Sequence, residues 1–222
     1  MVRELLIKIM SIFKTNKKEL FFTPFGPTMG YIQMPESLVK YLNKSIQKKL
    51  QDNSKNLVGK VSEELKFDNE IVQIVFDALK NFIYKYVDFT VQRNSFGEKK
   101  LDQNNTYNIS IVDGWFVRQF ENEYNPIHIH SGSQMSCVGY LSLPNGIEEE
   151  WEEDYKDHFP SNGHIQFTSG ESATIYSQNT FLIKPTVGDF YIFPSNLWHC
   201  VYPFYTNGER RSFSMNINFM KT

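Results

Sequence analysis

Little in this chain of 222 residues suggests export or a membrane. It has two cysteines, Cys137 and Cys200, too few for a disulfide framework, and a reduced cytoplasmic setting is the simpler reading. No apolar run approaches the length of a membrane span. Residues 1–13 are apolar but carry Arg3 and Lys8. They lack a clean apolar stretch and a small-residue cleavage site, so no signal peptide is read there. The formal net charge is −2, which offers nucleic acid no global handle. Gly-x-Ser-x-Gly is missing, and so are internal repeats and low-complexity tracts. Aromatics, by contrast, make up 15% of the chain, with 19 phenylalanines and 12 tyrosines, a composition that favours strands. The length suits one core with a helical annex.

The first half reads as support. Residues 4–13 form a short amphipathic piece, followed by Lys14, Lys17 and Lys18, a solvated face rather than a binding patch. Leu20-Phe21-Phe22-Thr23-Pro24-Phe25 is expected to be a first strand that Pro24 ends or places on an edge. Pro35-Glu36-Ser37 starts a helix expected over 34–57, with Leu38, Tyr41, Leu42, Ile46 and Leu50 on one stripe. A second helix is expected over about 69–87, carried by Ile71, Ile74, Val75, Ala78, Leu79, Phe82 and Ile83. Leu57-Val58-Gly59-Lys60-Val61 reads as a connector. Both helices are expected to brace one sheet face.

From about residue 90 the pattern changes to short apolar runs separated by Gly, Pro, Asn and Ser. Tyr107-Asn108-Ile109-Ser110-Ile111-Val112 alternates, Asp113-Gly114 reads as a hairpin turn, and residues 115–120 as the next strand. Further strands are expected at 127–130, 135–143, 164–168, 172–176, 181–184, 189–193, 199–203 and 211–219. Many antiparallel strands without intervening helices predict a sandwich or jelly roll. The fold class expected is therefore mainly β with a helical annex (α+β). Residues 1–95 form the helical and strand support, and residues 96–222 the jelly-roll core. The acidic run Glu148-Glu149-Glu150-Trp151-Glu152-Glu153-Asp154 reads as a solvated loop, with a lid favouring a basic substrate group as the alternative.

Chemistry concentrates in Asn125-Pro126-Ile127-His128-Ile129-His130-Ser131-Gly132, answered by Trp198-His199. On an extended chain His128 and His130 share a face, and neutral imidazole suits iron, copper, nickel or zinc. His199 follows a Gly-Asp turn, an apolar strand and a Pro-containing turn, a placement that can bring it to a barrel mouth opposite the pair. His158 and His164 lie in and after the acidic loop and are read as structural or exposed. Three ligands on one side of a metal leave the other positions open for substrates.

Four stretches taken together resemble the 2-oxoglutarate/Fe(II)-dependent oxygenase family with a His-x-His-Pro-like proximal motif. They are His128-Ile129-His130-Ser131, Ser136-Cys137-Val138-Gly139-Tyr140-Leu141, residues 188–199 with Phe193-Pro194-Ser195 and Leu197-Trp198-His199, and Arg210-Arg211-Ser212-Phe213-Ser214-Met215-Asn216-Ile217. The resemblance covers about residues 105–220. Ser131 stands where the family has Pro, and Cys137 where it has Gly. The wider superfamily uses His-x-Asp/Glu, so His130 replaces a carboxylate and leaves more positive charge on the metal. Either His128, His130 and His199 form a three-His site, or two bind and another side chain completes it.

The resemblance implies a double-stranded β-helix core and two cofactors, Fe(II) and 2-oxoglutarate. It also implies dioxygen as co-reactant, and hydroxylation of an unidentified substrate with decarboxylation of 2-oxoglutarate to succinate. The distal carboxylate of 2-oxoglutarate then needs a cation, and Arg offers two parallel hydrogen bonds. On the last strand Arg210 shares a face with Ser212, Ser214, Asn216 and Asn218, whereas Arg211 shares the other with Phe213, Met215, Ile217 and Phe219. The polar face implies Arg210 as the anchor and Ser212 as its helper. Tyr140 is a further candidate donor, or simply a core tyrosine. Trp115, Tyr124 and Trp151 are candidates for an aromatic wall. Two rivals share the fold. A cupin-type metalloprotein without 2-oxoglutarate would place Gln134 at its acidic position and match Gly188, Pro194 and His199, with Asn196 in place of its Gly. A non-enzymatic jelly-roll binding module would need no histidine triad.

Overall fold

The computed structural model describes residues 19–22, 26–47, 49–54, 59–94, 106–152, 161–170 and 179–222. Among the described residues, eight strands run from Tyr107 to Lys221 and divide between two sheets. One sheet takes β5 (Tyr107–Phe120), β7 (Met135–Ser142), β10 (Asp189–Pro194) and β12 (Glu209–Lys221). The other takes β6 (Asn125–His128), β8 (Ile165–Thr168), β9 (Thr180–Ile183) and β11 (Trp198–Val201), in the order β6-β11-β8-β9. The alternation produces a double-stranded β-helix. Four N-terminal strands extend the larger sheet at both ends. They are β1 (Glu19–Phe22), β2 (Met29–Gln33), β3 (Gln51–Asp52) and β4 (Glu63–Lys66), in the order β1-β2-β10-β7-β12-β5-β4-β3.

Side-chain alternation along the large sheet separates two cores. Outward residues Phe116, Cys137, Leu141, Phe190, Ile192, Phe213, Met215 and Ile217 meet α1 (Glu36–Ser45) and α2 (Asn69–Asn94). The helices contribute Leu38, Val39 and Leu42, then Ile71, Val75, Leu79, Phe82, Ile83 and Tyr86. Each such side chain, fully buried, contributes on the order of 1.5–3 kcal/mol. Asp68 starts α2 by accepting the Ile71 N–H at 2.8 Å. Inward residues Met29, Val138, Tyr140 and Phe193 face Ile165, Phe167, Ile183 and Val201 of the small sheet. Phe167 and Phe193 meet edge to face at 4.8 Å. Strand β7 is covered on both sides, so its residues from Met135 to Leu141 are all buried.

Two expectations are corrected. Asp113-Gly114 does not turn the chain, because β5 runs unbroken through it for 14 residues. The long partner β12 pairs with both halves, and a register shift between Asn216 and Ile217 leaves Val112 as an extra residue. Gly114 is there for space, since a Cβ would lie 2.7 Å from the Phe67 ring. The helix expected over 34–57 ends at Ser45, and the chain re-enters as β3. Strands β2 and β4 were not anticipated. Residues 4–13, Pro24, His158 and the strand expected at 172–176 lie outside the described residues. No helix among the described residues is long and apolar enough to cross a membrane.

Candidate active site

Pairing of β6 with β11 sets His128 opposite His199 on neighbouring strands of the small sheet. β6 ends at His128, and His130 lies just beyond it, its backbone N–H donating to Ser195 O at 2.9 Å. Ser195 also donates through Oγ to Ser133 O and through N–H to Gln134 O. The Phe-Pro-Ser turn thereby pins the proximal loop against the distal one. Gly132 takes φ +80°, which allows the loop to reverse there.

One ligand atom from each of His128, His130 and His199 lies within 4.8 Å of the others. The ring centroids are 4.3 Å apart for His128 and His199, 5.1 Å for His130 and His199, and 5.3 Å for His128 and His130. His128 Nδ1 sits 2.7 Å from Pro126 O, and His199 Nδ1 sits 2.8 Å from Leu197 O. A carbonyl only accepts, so both Nδ1 atoms carry the proton and both Nε2 lone pairs stay free for a metal. Burial, then the neighbouring His128, pushes the His199 imidazole down to about 3. The same two causes push His130 down to about 4. Burial lowers His128 as well, opposed by the Pro126 carbonyl. The cluster is therefore neutral at physiological pH, as metal ligation requires. Among the described residues no carboxylate belongs to this group.

The imidazoles line a cavity of about 430 Å³ whose wall also includes Arg210, Ser212, Ser214 and Asn216 of β12. Arg210 is 2% exposed and donates from Nη1 to Gly163 O at 2.7 Å, while its Nε has no partner. Among the described residues it has no carboxylate, although a buried cation ordinarily demands one. Its guanidinium lies over the Tyr140 ring at 5.6 Å. Tyr140 is fully buried, its hydroxyl is unpartnered among the described residues, and burial pushes it up to about 12. Tyr140 is not part of the cavity wall; it packs behind Arg210. Ser212 is buried on the cavity face beside Arg210. Arg211 sits on the opposite face, forked onto Glu209 at 2.8 and 2.9 Å.

This donor set fits the two groups that the sequence motifs imply. Three neutral imidazoles suit a divalent transition metal. A buried guanidinium with an unfilled donor and, among the described residues, no counter-charge suits the far carboxylate of a dicarboxylate in the same cavity.

Beside β12 the same sheet face continues across β5 and β4, and there Trp115 was anticipated whereas Asn53, Glu64, Lys66 and Asp113 were not; Asn125 also lines the cavity. Burial pushes Glu64 up to about 7, with Asn53 and the Trp115 indole N–H offsetting part of the rise. Burial likewise raises Asp113, whose Oδ1 has no partner. Of the three aromatics considered as a wall, only Trp115 lines the cavity. Tyr124 is exposed, and Trp151 packs on His164 and under Lys184. The described part of the acidic run is not simply solvated. Glu150 is 3% exposed and accepts the Tyr205 N–H at 3.0 Å and the Thr206 N–H and hydroxyl. His164 is buried with Nδ1 against Asn162 O.

Residues 113–216 match the model of the family described as "Putative 2OG-Fe(II) oxygenase". No curated protein matches the chain. Among solved structures, a 2OG-Fe(II) oxygenase family oxidoreductase from Burkholderia pseudomallei is similar at TM-score 0.56 and 11% identity, over 90% of this chain and 84% of that one. HygX from Streptomyces hygroscopicus, solved with nickel, 2-oxoglutarate and hygromycin B, is similar at TM-score 0.54 and 10% identity, over 95% and 86%. A Pseudomonas putida prolyl-4-hydroxylase is similar at TM-score 0.52 and 13% identity, over 91% and 92%. At these identities the likeness is one of fold. It is over its jelly-roll core, residues 113–216, that the chain matches the 2OG-Fe(II) oxygenase family, whose name carries its two cofactors, iron(II) and 2-oxoglutarate.

Proposed function

We propose that this chain hydroxylates a small-molecule or side-chain substrate in a reaction dependent on Fe(II), 2-oxoglutarate and dioxygen. The observation that carries the reading is Arg210, a buried cation without a counter-charge among the described residues, in one cavity with three imidazoles. His128 and His199 would hold iron through Nε2, the atom their carbonyl contacts leave free, and His130 would supply the third ligand. Arg210 would receive the distal carboxylate of 2-oxoglutarate, with Ser212 beside it and the Tyr140 hydroxyl behind it. When bound, iron(II) and 2-oxoglutarate would supply the oxidising chemistry, with one atom of dioxygen ending in succinate as carbon dioxide is lost and the other in the hydroxylated substrate. The protein's share is to orient the cosubstrate and to keep the cavity dry with Val138, Ile165, Phe193 and Val201. Cys137 and Cys200, both free thiols, suit a reducing cytoplasm.

The cupin reading loses its fourth ligand position. Gln134 Oε1 accepts the Phe219 N–H at 2.7 Å, and Gln134 is not part of the cavity wall. The test is anaerobic addition of Fe(II) and then 2-oxoglutarate, watching for the visible charge-transfer absorption of the chelate. The band is expected in the wild type and lost in His199→Ala, and it should need far more 2-oxoglutarate in Arg210→Ala. Iron binding with no response to 2-oxoglutarate would return the assignment to the cupin class. A protein that binds no metal would be a non-enzymatic module.

A further inference from the structure

The three imidazoles are not held alike. His128 and His199 each have Nδ1 fixed by a backbone carbonyl two residues earlier. The His130 ring has no hydrogen-bond partner among the described residues. Only its backbone is fixed, by the bond to Ser195 O. Metal-ligating histidines ordinarily gain their orientation from a partner on the second ring nitrogen, and losing that partner typically costs about 10–100-fold in metal affinity. Something else must restrain His130. Its aromatic contacts are the two other imidazoles and one ring from outside the triad, Trp115, at 5.7 Å and 42°.

Trp115 is itself anchored. It lies on β5, paired with Ser214 on one side and Lys66 of β4 on the other. Its indole N–H faces the Glu64 carboxylate across the cavity wall, near enough to offset part of the rise that burial gives that carboxyl. Glu64 is 8% exposed and held from two directions. Asn53 Nδ2 donates to Oε2 at 3.3 Å, and the Glu64 backbone N–H donates to Ser54 Oγ at 3.0 Å. Strand β4 lies before the family-matched segment 113–216. Its place at the cavity wall is a contribution of this chain's N-terminal region.

We propose that Trp115, braced by Glu64 of β4, is a positioning residue that holds the His130 imidazole in its metal-binding orientation. The inference rests on the metal site proposed above. It extends that reading by giving the residue that replaces a carboxylate a restraint of its own. An imidazole tilted against a fixed indole ring keeps its χ angles without a hydrogen bond, and its second ring nitrogen takes whichever tautomer the metal demands. Without the indole, His130 swings away and the site falls to two ligands.

The test is anaerobic Co(II) titration of the full chain, reading the dissociation constant and the visible d–d spectrum, neither of which needs turnover. Trp115→Ala should weaken Co(II) binding about 10–100-fold and shift the spectrum to that of His130→Ala. The double variant Trp115→Ala/His130→Ala should bind no more weakly than His130→Ala alone, since both act through one ligand. Trp115→Phe should recover part of the affinity and become insensitive to Glu64→Gln, having no indole N–H to brace. Losses that add in the double variant, or a Trp115→Ala constant within twofold of wild type, would overturn the inference. If Trp115→Ala does not fold, the Glu64→Ala/His130→Ala cycle decides it by the same criterion. A wild-type chain that binds no Co(II) would refute the metal site itself, a result separate from additivity in a chain that does bind.

Discussion

A guanidinium buried for a ligand's benefit should burden the protein when that ligand is absent, and Arg210→Met measures this. Methionine keeps much of the unbranched stem and removes the charge. Three terms set the magnitude. Relief of an unpaired buried cation is worth several kcal/mol. Against it stand the lost bond to Gly163 O, about 1.5–3 kcal/mol for a charged donor, and the lost contact with the Tyr140 ring, about 1–2 kcal/mol. The balance is a stabilisation of about 1–2 kcal/mol in the ligand-free protein. At about 2–4 °C per kcal/mol for a chain of this size, Tm rises by about 2–8 °C. The 2-oxoglutarate requirement moves the other way. Loss of a buried charge pair costs about 2–5 kcal/mol, so the half-saturating concentration should rise by about 1.4 to 3.6 orders of magnitude.

The assay is thermal unfolding of wild type and Arg210→Met, without metal and then with Fe(II) and increasing 2-oxoglutarate under argon. The two melting curves should cross. The variant starts higher and gains little, whereas the wild type starts lower and climbs with ligand. A variant that melts well below wild type without ligand, yet responds equally to 2-oxoglutarate, would refute the reasoning. Arg210 would then be a strut for the Gly163 loop and the cosubstrate would be held elsewhere.

Other consequences follow from the same contacts. The folded pKa values of His130 and His199, about 4 and about 3, lie below the unfolded 6.5. Their contribution is present above pH 6.5 and drains away as pH falls toward those values. The urea midpoint of metal-free protein should decline from pH 6.5 downward, and His199→Leu should flatten that decline. Glu209 receives forks from Arg118 and Arg211 at 2.7 and 2.8 Å. Burial raises its pKa, but the Arg211 and Arg118 hydrogen bonds outweigh that and hold the carboxyl down at about 2. Its stabilisation is present above the unfolded 4.5 and lost as pH falls through 2. Glu209→Gln should accordingly cost about 1–2 kcal/mol at pH 7 and almost nothing at pH 2, by chemical denaturation. A Cβ on Gly139 would run into the Phe213 ring, so Gly139→Ala should lose about 1–3 kcal/mol and Phe213→Leu should restore most of it.

What could be read in the sequence follows from how local each signal is. The β12 residues Arg210, Ser212, Ser214 and Asn216 share the cavity because strand alternation is a two-residue rule, readable from a dozen letters. The His128, His130 and His199 grouping needed one long-range fact, that β11 lies beside β6, and jelly-roll order supplies it. Asp113-Gly114 misled because a dipeptide carries turn chemistry but not its partner. Only the 13 residues of β12, running past both sides, convert that turn signal into a bulge. Strand β4 is harder still. Glu63-Glu64-Leu65-Lys66 is polar and poor in strand formers, and it becomes a strand because β5 offers a free edge and Arg118 binds Glu63 at 2.6 Å. The alternating faces then send Leu65 to the helix-side core and set Glu64 and Lys66 on the cavity wall. A residue placed by a neighbour's edge leaves no periodicity of its own. Glu64 and Lys66 therefore reach the cavity wall with no signal of their own in the sequence, whereas Trp115, on the strand that supplies the edge, had one.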